Sequence, residues 1–207
     1  AAELLREQAR TRLEAAMSAD RQRLGLAVLR DQPAAEGCML LRLWLAANAV
    51  GMPSTRRLQE LLRQLLDARR DAAVAVDLGD CAVRRFRDAA WLVDAELPRP
   101  PAGRRPWDGD DLDLGAGLGT LRRRFAPGGI DPARWDAGRV DVGYRTPGLC
   151  CRPAGRVGSR GFKAIAQAHA IPPWQRDRLP VVWIDGVPAA IANCCVCAPF
   201  ATPAGQP

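Results

Sequence analysis

The segment from residue 158 to residue 180, GSRGFKAIAQAHAIPPWQRDRLP, brings together residues of two different chemistries. It contains the only lysine and the only histidine of the chain, Lys163 and His169. A histidine beside a thiol acts as the base for a nucleophile, whereas lysine and arginine bind phosphate. His169 lies among small apolar residues, as expected at the end of a packed helix. The sequence therefore disfavours a catalytic base here and favours an anion site.

The distribution of charge supports an anion site. The formal net charge is +7, and most of the excess falls between residues 145 and 178, where seven basic residues face one acidic residue, Asp177. The basic residues are Arg145, Arg152, Arg156, Arg160, Lys163, Arg176 and Arg178. Such a concentration attracts polyanions and supplies the salt-sensitive part of nucleic-acid binding. The alternative is a solvated basic loop without a ligand.

Residues 152 to 163 are predicted to form the anion site itself. Gly158 and Ser159 precede a helix that we expect to begin near Arg160, so that Ser159 caps its first turn. The free amides of that turn attract anions. Lys163 follows one turn later on the same face, and CRPAGRVG forms the approach loop. The predicted phosphate-binding residues are Arg152, Arg156, Ser159, Arg160, Lys163 and Arg176.

The residues that follow this helix are assigned a structural role. Pro172 and Pro173 end the helix. Trp174 then begins a short turn, and we expect it to be a buried aromatic residue. Asp177 and Arg178 belong to an Arg–Asp–Arg sequence that is expected to brace itself internally. Arg176 lies in the same turn, and its sequence position also permits a structural role.

The remaining candidate sites are weak. GAGLG at 115–119 leads into TLRRRF, a strand pattern, so we predict a hairpin turn instead of a nucleotide-binding loop. The seven cysteines are an odd number with two adjacent pairs, and nothing indicates an oxidising compartment, so they are predicted to be free thiols. Cys194, Cys195 and Cys197 lack a second ligand cluster, so no zinc site is predicted. We find no catalytic, metal or cofactor residues.

The apolar patterns divide the chain into two α+β domains. Residues 2–18, 34–49 and 54–66 have helical spacing, and the last follows an N-cap at Ser54. Short antiparallel strands follow up to Leu97. PRPPAGRRP, residues 98–106, is predicted to be a linker. The second domain, 107–200, is predicted to have a mostly antiparallel sheet and one main helix at 160–170, and 201–207 is predicted to be a disordered tail.

The sequence also bears on location. No apolar run approaches the roughly 20 residues that a membrane-spanning helix requires. The N-terminal residues AAELLREQARTRLEAAM have the charged pattern of an amphipathic helix instead of a secretory signal. We therefore expect a cytoplasmic protein without membrane contact.

The segment CRPAGRVGSRGFKAIAQAHAIPPWQRDRLPVVW resembles the final domain of tRNA(Ile)-lysidine synthetases. It carries Arg-Pro, Gly-Ser-Arg, Lys, Ile-Pro-Pro-Trp and Arg-Asp-Arg-Leu-Pro elements in the order of that family. Residues 24–97 resemble the preceding domain through LRLWLAANAVGMPSTRRLQELLRQLLDARRDA. Residues 1–23 would then be the connector helix from a catalytic domain.

The resemblance implies a tRNA-binding region of an enzyme that converts the wobble cytidine of isoleucine tRNA to lysidine. Its partner would be isoleucine tRNA with a CAU anticodon, bound mainly on the acceptor-stem side. ATP with Mg would bind in the N-terminal domain, whose Ser-Gly-Gly loop followed by an Asp-Ser pair does not occur in these residues. We therefore expect no lysidine formation by this chain alone. The alternative is a helical protein-interaction module with an incidental basic patch.

Overall fold

The computed structural model describes residues 2–69, 72, 74–115 and 117–202. The chain forms two compact units, Ala1–Leu97 and Pro98–Pro207. Helices dominate the first unit and antiparallel sheets the second. The predicted α+β class is therefore confirmed. Within the described residues, every helix is too short or too polar to cross a lipid bilayer.

The first unit packs four helices against a four-stranded antiparallel sheet of order β1-β4-β3-β2. The helices are α1 (Ala2–Ala16), α2 (Ala27–Arg30), α3 (Ala34–Ala47) and α4 (Thr55–Asp67). The strands are β1 (Arg23–Gly25), β2 (Ala75–Asp77), β3 (Cys81–Phe86) and β4 (Ala89–Asp94). Strand β1 was not predicted, because three residues are too few to show an alternating pattern.

Helix α4 shows how the sequence builds this core. Ser54 is its N-cap, and the side-chain oxygen accepts a hydrogen bond from the amide of Arg57 at 3.3 Å. Leu58, Leu61 and Leu65 have no exposed surface. Burying each leucine stabilises the fold by about 1.5 to 3 kcal/mol. Helix α3 approaches α4 closely at Gly37, where a Cβ atom would lie 2.9 Å from Leu62 Cδ2.

The second unit is built on a five-stranded antiparallel sheet of order β13-β12-β11-β8-β5. Its strands are β5 (Arg104–Pro106), β8 (Val140–Gly143), β11 (Val181–Ile184), β12 (Val187–Ile191) and β13 (Cys195–Val196). Two smaller sheets pair β6 (Leu112–Asp113) with β7 (Thr120–Leu121), and β9 (Cys150–Cys151) with β10 (Arg160–Gly161). The helices are α5 (Pro132–Ala137), α6 (Phe162–Ala168) and α7 (Pro173–Arg176), followed by a 3-10 turn, Ala198–Phe200.

Strand β11 is the centre of this unit, because both of its faces are buried. Val181 and Trp183 belong to one apolar cluster, which includes Phe162 of α6. Val182 and Ile184 belong to a second cluster. A strand buried on both faces requires a continuous apolar sequence, and VVWI meets that requirement.

Three sequence expectations for this unit need correction. Arg104–Pro106 lie in the predicted linker but form β5, which pairs with β8. The tail was expected to be disordered from residue 201, yet Ala201 bridges to Ile130 and the amide of Thr202 donates to Gly129 O at 3.0 Å. Residues 203–207 lie outside the described residues. The main helix is α6, which begins at Phe162 instead of near Arg160.

Candidate nucleic-acid interface

Residues 150–161 form a β-hairpin, which we call the basic hairpin. Strands β9 and β10 pair antiparallel, with Cys151 opposite Arg160. The connecting loop turns at Gly155 and Gly158, whose φ angles of +71° and +80° favour glycine. The approach loop predicted from sequence is therefore the exposed end of this hairpin.

The basic hairpin is attached to the end of the main sheet. Pro153 forms a bridge with Cys197, and the amide of Ala154 donates to Val196 O at 2.9 Å. The amide of Ala198 donates to Arg152 O at 2.7 Å. These contacts fix the base of the hairpin and leave its tip in solvent.

A disulfide between Cys151 and Cys197 completes this attachment. The prediction that all cysteines are free thiols is therefore wrong for this pair. The two residues are 46 positions apart in sequence, but the pairing of the hairpin with the end of the sheet brings their Cα atoms within 5.8 Å. That distance suits a disulfide. Cys38, Cys81, Cys150, Cys194 and Cys195 are free.

The predicted cap at Ser159 is also wrong. The residue before α6 is Gly161, which makes no side-chain cap hydrogen bond. Arg160 and Gly161 are extended because they pair with β9, and the first helical amide, Phe162, donates to Leu149 O at 3.0 Å. Strand pairing thus delays the helix by two residues. The predicted Ser159 cap is therefore absent from the start of α6, and the phosphate-binding role of this segment stays a prediction.

Four cationic side chains remain available to an anion. They lie on the basic hairpin and in the first turn of α6, and all four are exposed. We call Arg152, Arg156, Arg160 and Lys163 the basic cluster. Among the described residues, none of these four side chains has a hydrogen-bond or ion-pair partner. Their charge is therefore uncompensated by the surrounding side chains, as phosphate recognition requires.

The other three cations of the charged segment have protein partners. Arg145 forms an ion pair with Asp177. Arg178 donates through Nη2 to Gly117 O at 2.9 Å, as a structural role requires. Half-buried Arg176 donates through Nε to Ile171 O at 3.1 Å. The expected internal Arg–Asp–Arg brace is therefore wrong, because Asp177 and Arg178 reach other segments of the unit. The Nε of Arg176 is thus engaged by the backbone, whereas the sequence predicted that this side chain binds phosphate.

Pro172 and Pro173 do not end α6 as the sequence predicted, because the helix already ends at Ala168 and the chain turns at Ala170, whose φ is +57°. Buried Pro172 is the residue before α7, and Pro173 occupies the first helical position. Trp174 is half-buried instead of buried. Its side chain therefore contributes less buried apolar area to the fold than the sequence suggested.

The remaining candidates for catalysis are His169 and the free thiols. His169 is exposed at the end of α6. Burial raises the pKa of the Cys194 thiol to about 11 and also raises the pKa of Cys195. Both thiols therefore stay protonated at neutral pH, which makes them poor nucleophiles and metal ligands. Within the described part of the chain, no three His, Cys, Asp or Glu side chains are grouped as a metal site requires.

We predict that opening the disulfide destabilises the second unit. Replacing Cys151 and Cys197 with serine should lower the free energy of unfolding by about 2 to 4 kcal/mol, because the cross-link restricts the unfolded chain. Denaturant titration with and without a phosphine reductant measures the effect. The reductant should destabilise the wild type and leave the double variant unchanged. Equal stability of wild type and variant under oxidising conditions would contradict the prediction.

Comparison with known proteins follows the same division of the chain. A family model described as the TilS substrate binding domain matches residues 24–91. A second, described as the TilS substrate C-terminal domain, matches residues 140–207. The second range includes the basic hairpin, the basic cluster and the disulfide.

Curated relatives match most of the chain, and they are called tRNA(Ile)-lysidine synthases. The protein from Methylococcus capsulatus is 33% identical over 93% of this chain and 44% of its own length. That from Azoarcus sp. is 34% identical over 86% of this chain and 39% of its own length. That from Alkalilimnicola ehrlichii is 33% identical over 82% of this chain and 38% of its own length.

The chain spans less than half of the length of these relatives, and the match falls in their C-terminal portion. The resemblance drawn from the quoted motifs is thereby confirmed. The chain belongs to the tRNA(Ile)-lysidine synthase family.

Proposed function

We propose that this chain is the tRNA-binding and discriminating region of a cytoplasmic lysidine synthase. The observation that carries the proposal is the basic cluster, four exposed cations on the anchored hairpin and the first turn of α6 that have no hydrogen-bond or ion-pair partner among the described residues. The family relationship supplies the polyanion, because the relatives are named for a tRNA. Family membership and the charge pattern both favour RNA as the ligand.

The basic cluster suits helical RNA. The major groove of an RNA duplex is deep and narrow, so side chains contact phosphates, riboses and the shape of the helix. Arginine offers a planar fork that binds two phosphate oxygens at once, and lysine adds a compact charge. The anchored hairpin and the first turn of α6 hold these groups before RNA arrives, which reduces the entropy lost on binding. We propose that they grip the acceptor-stem side of isoleucine tRNA.

The chemistry of lysidine formation belongs to another part of the whole enzyme in this proposal. ATP with Mg and the attacking lysine would bind in an N-terminal domain carrying the Ser-Gly-Gly loop, which these residues lack. The role of this chain is to bind and select the tRNA that is modified there. With ATP, lysine and tRNA supplied, the chain alone should yield no lysidine.

The structure weakens the alternative of a helical protein-interaction module. That hypothesis needs the leucine face of α4 to be open to a partner helix. Leu58, Leu61 and Leu65 are instead fully buried in the core of their own unit. The face that was to bind a partner is thus already occupied.

Chimeric tRNAs test the proposed discrimination. We compare isoleucine tRNA with a chimera that keeps its CAU anticodon arm but carries the acceptor stem of a different tRNA. The chimera should bind this chain roughly tenfold more weakly, because discrimination between stems requires at least one contact to a base pair in addition to the phosphate and ribose contacts. The reciprocal chimera, with the isoleucine acceptor stem and a foreign anticodon arm, should bind as isoleucine tRNA does. Affinity that follows the anticodon arm would contradict the proposal.

A further inference from the structure

A column of contacting aromatic and arginine side chains in the second unit ends at the protein surface. Trp107 and Trp135 meet edge to face, with ring centroids 5.3 Å apart and planes at 81°. The guanidinium carbon of Arg123 lies 5.0 Å from the centroid of Trp135 and 5.3 Å from that of Phe125. The order of the column is therefore Trp107, Trp135, Arg123 and Phe125.

The inner part of the column is held in place by its surroundings. Trp107 is buried, and its indole nitrogen donates to Asp110 O at 2.7 Å. Trp135 lies on α5, whose N-cap Asp131 accepts from the amide of Ala133 at 2.9 Å. Arg123 packs against Gly109, where a Cβ atom would lie 2.8 Å from its guanidinium carbon. Contacts with Trp135 and Gly109 thus hold the Arg123 guanidinium in place before any ligand binds.

The outer end of the column is unusually open. Phe125 is 87% exposed, whereas folding normally removes a phenyl ring from water. Arg123 covers one side of this ring, and the high exposure leaves the other side open. Arg122 forms an ion pair with Asp111 at 2.8 Å. Arg124 is exposed, and its side chain has no hydrogen-bond or ion-pair partner among the described residues.

We infer that Phe125 is a stacking platform for one unpaired RNA base, with Arg124 binding the phosphate beside it. The inference rests on the proposed function and adds a contact of a different kind, because the basic cluster binds phosphates only. Every nucleobase has a flat π face, so an open phenyl ring backed by a guanidinium continues the stack without reading sequence. Arg124 provides the charge complementarity that a purely apolar protein partner would not need.

Fluorescent RNA duplexes test this inference on the 207-residue chain. One duplex is blunt at both ends, and the other carries a four-nucleotide 3′ overhang containing 2-aminopurine, whose fluorescence falls when it stacks. The overhang should raise the affinity, and its fluorescence should change on binding. Phe125→Ala should weaken binding of the overhang RNA about tenfold, the scale of one base–aromatic stack, and leave the blunt RNA unaffected.

Two matched variants separate ring stacking from apolar contact. Phe125→Tyr keeps the ring and should behave as wild type, whereas Phe125→Leu keeps apolar area without a π face and should resemble Phe125→Ala. All three should melt as wild type does, because the side chain is exposed. If both RNAs bind equally and Phe125→Ala changes neither, the platform is overturned and tRNA binding stands. If neither RNA binds, the proposed function fails and the inference falls with it.

Discussion

Removing the four charges of the basic cluster with alanine substitutions should lower the affinity for isoleucine tRNA roughly a thousandfold at low salt. Each exposed cation is expected to contribute about 1 kcal/mol through a charge-assisted phosphate contact. The four side chains have no hydrogen-bond or ion-pair partner to lose among the described residues, so the fold should be unchanged. Titration at fixed salt, with circular dichroism of each variant, measures both quantities.

Charge-preserving variants provide the control for this result. Replacing Arg152, Arg156 and Arg160 with lysine keeps the cluster positive but removes the planar fork of arginine. This variant should lose affinity only modestly and keep the salt dependence of wild type. In the alanine variant, the slope of log affinity against log salt should become shallower by about 3 to 4. An alanine variant that binds tRNA as tightly as wild type would show that the basic cluster is not the tRNA interface.

Trp183→Ala should lower the free energy of unfolding of the second unit by about 3 to 5 kcal/mol, the usual cost of deleting a buried aromatic side chain. Trp183 is 3% exposed on the central strand β11 and shares its cluster with Phe162 and both disulfide cysteines. The guanidinium carbon of Arg104 lies 3.4 Å from its ring centroid. Deleting the indole would therefore leave a cavity beneath the basic hairpin.

Trp183→Phe distinguishes packing from hydrogen bonding. The indole nitrogen of Trp183 is buried and donates to no acceptor among the described residues, so a phenyl ring loses only apolar area. This variant should cost about 1 to 2 kcal/mol. Urea titration and hydrogen exchange at β8 and β11 measure the change. Equal losses for the two variants would show that the cavity is not the cause. Half-buried Trp174 should be less costly to replace with alanine than Trp183.

Local patterns in the sequence predicted the helical part of the fold. The leucine spacing and Ser54 located α4, because a helix needs only contacts within its own turn and a cap at its start. The charge excess likewise located the basic cluster, because charges remain on the surface wherever the backbone goes. These features depend on residues that are close in sequence, so they could be predicted without a structure.

Pairing between distant segments explains the errors. Ser159 is a residue type that often caps a helix. A cap at Ser159 would require Arg160 to be helical, but Arg160 is extended because it pairs with Cys151. The disulfide depends on the approach of residues 46 positions apart, and adjacent cysteine pairs gave no sign of it.

The stacking column was missed for the same reason. The sequence RRRF was interpreted as part of a strand, although an aromatic residue directly after three arginines was a usable signal. Only the fold brings Trp135 to the other side of Arg123.

The salt dependence of tRNA binding tests the central claim most directly. The 207-residue chain is titrated with isoleucine tRNA at increasing salt concentrations. We predict measurable binding at low salt and a linear fall of log affinity with log salt, because phosphate contacts release counterions. Binding that is absent at low salt, or that does not change as salt rises, would contradict the account.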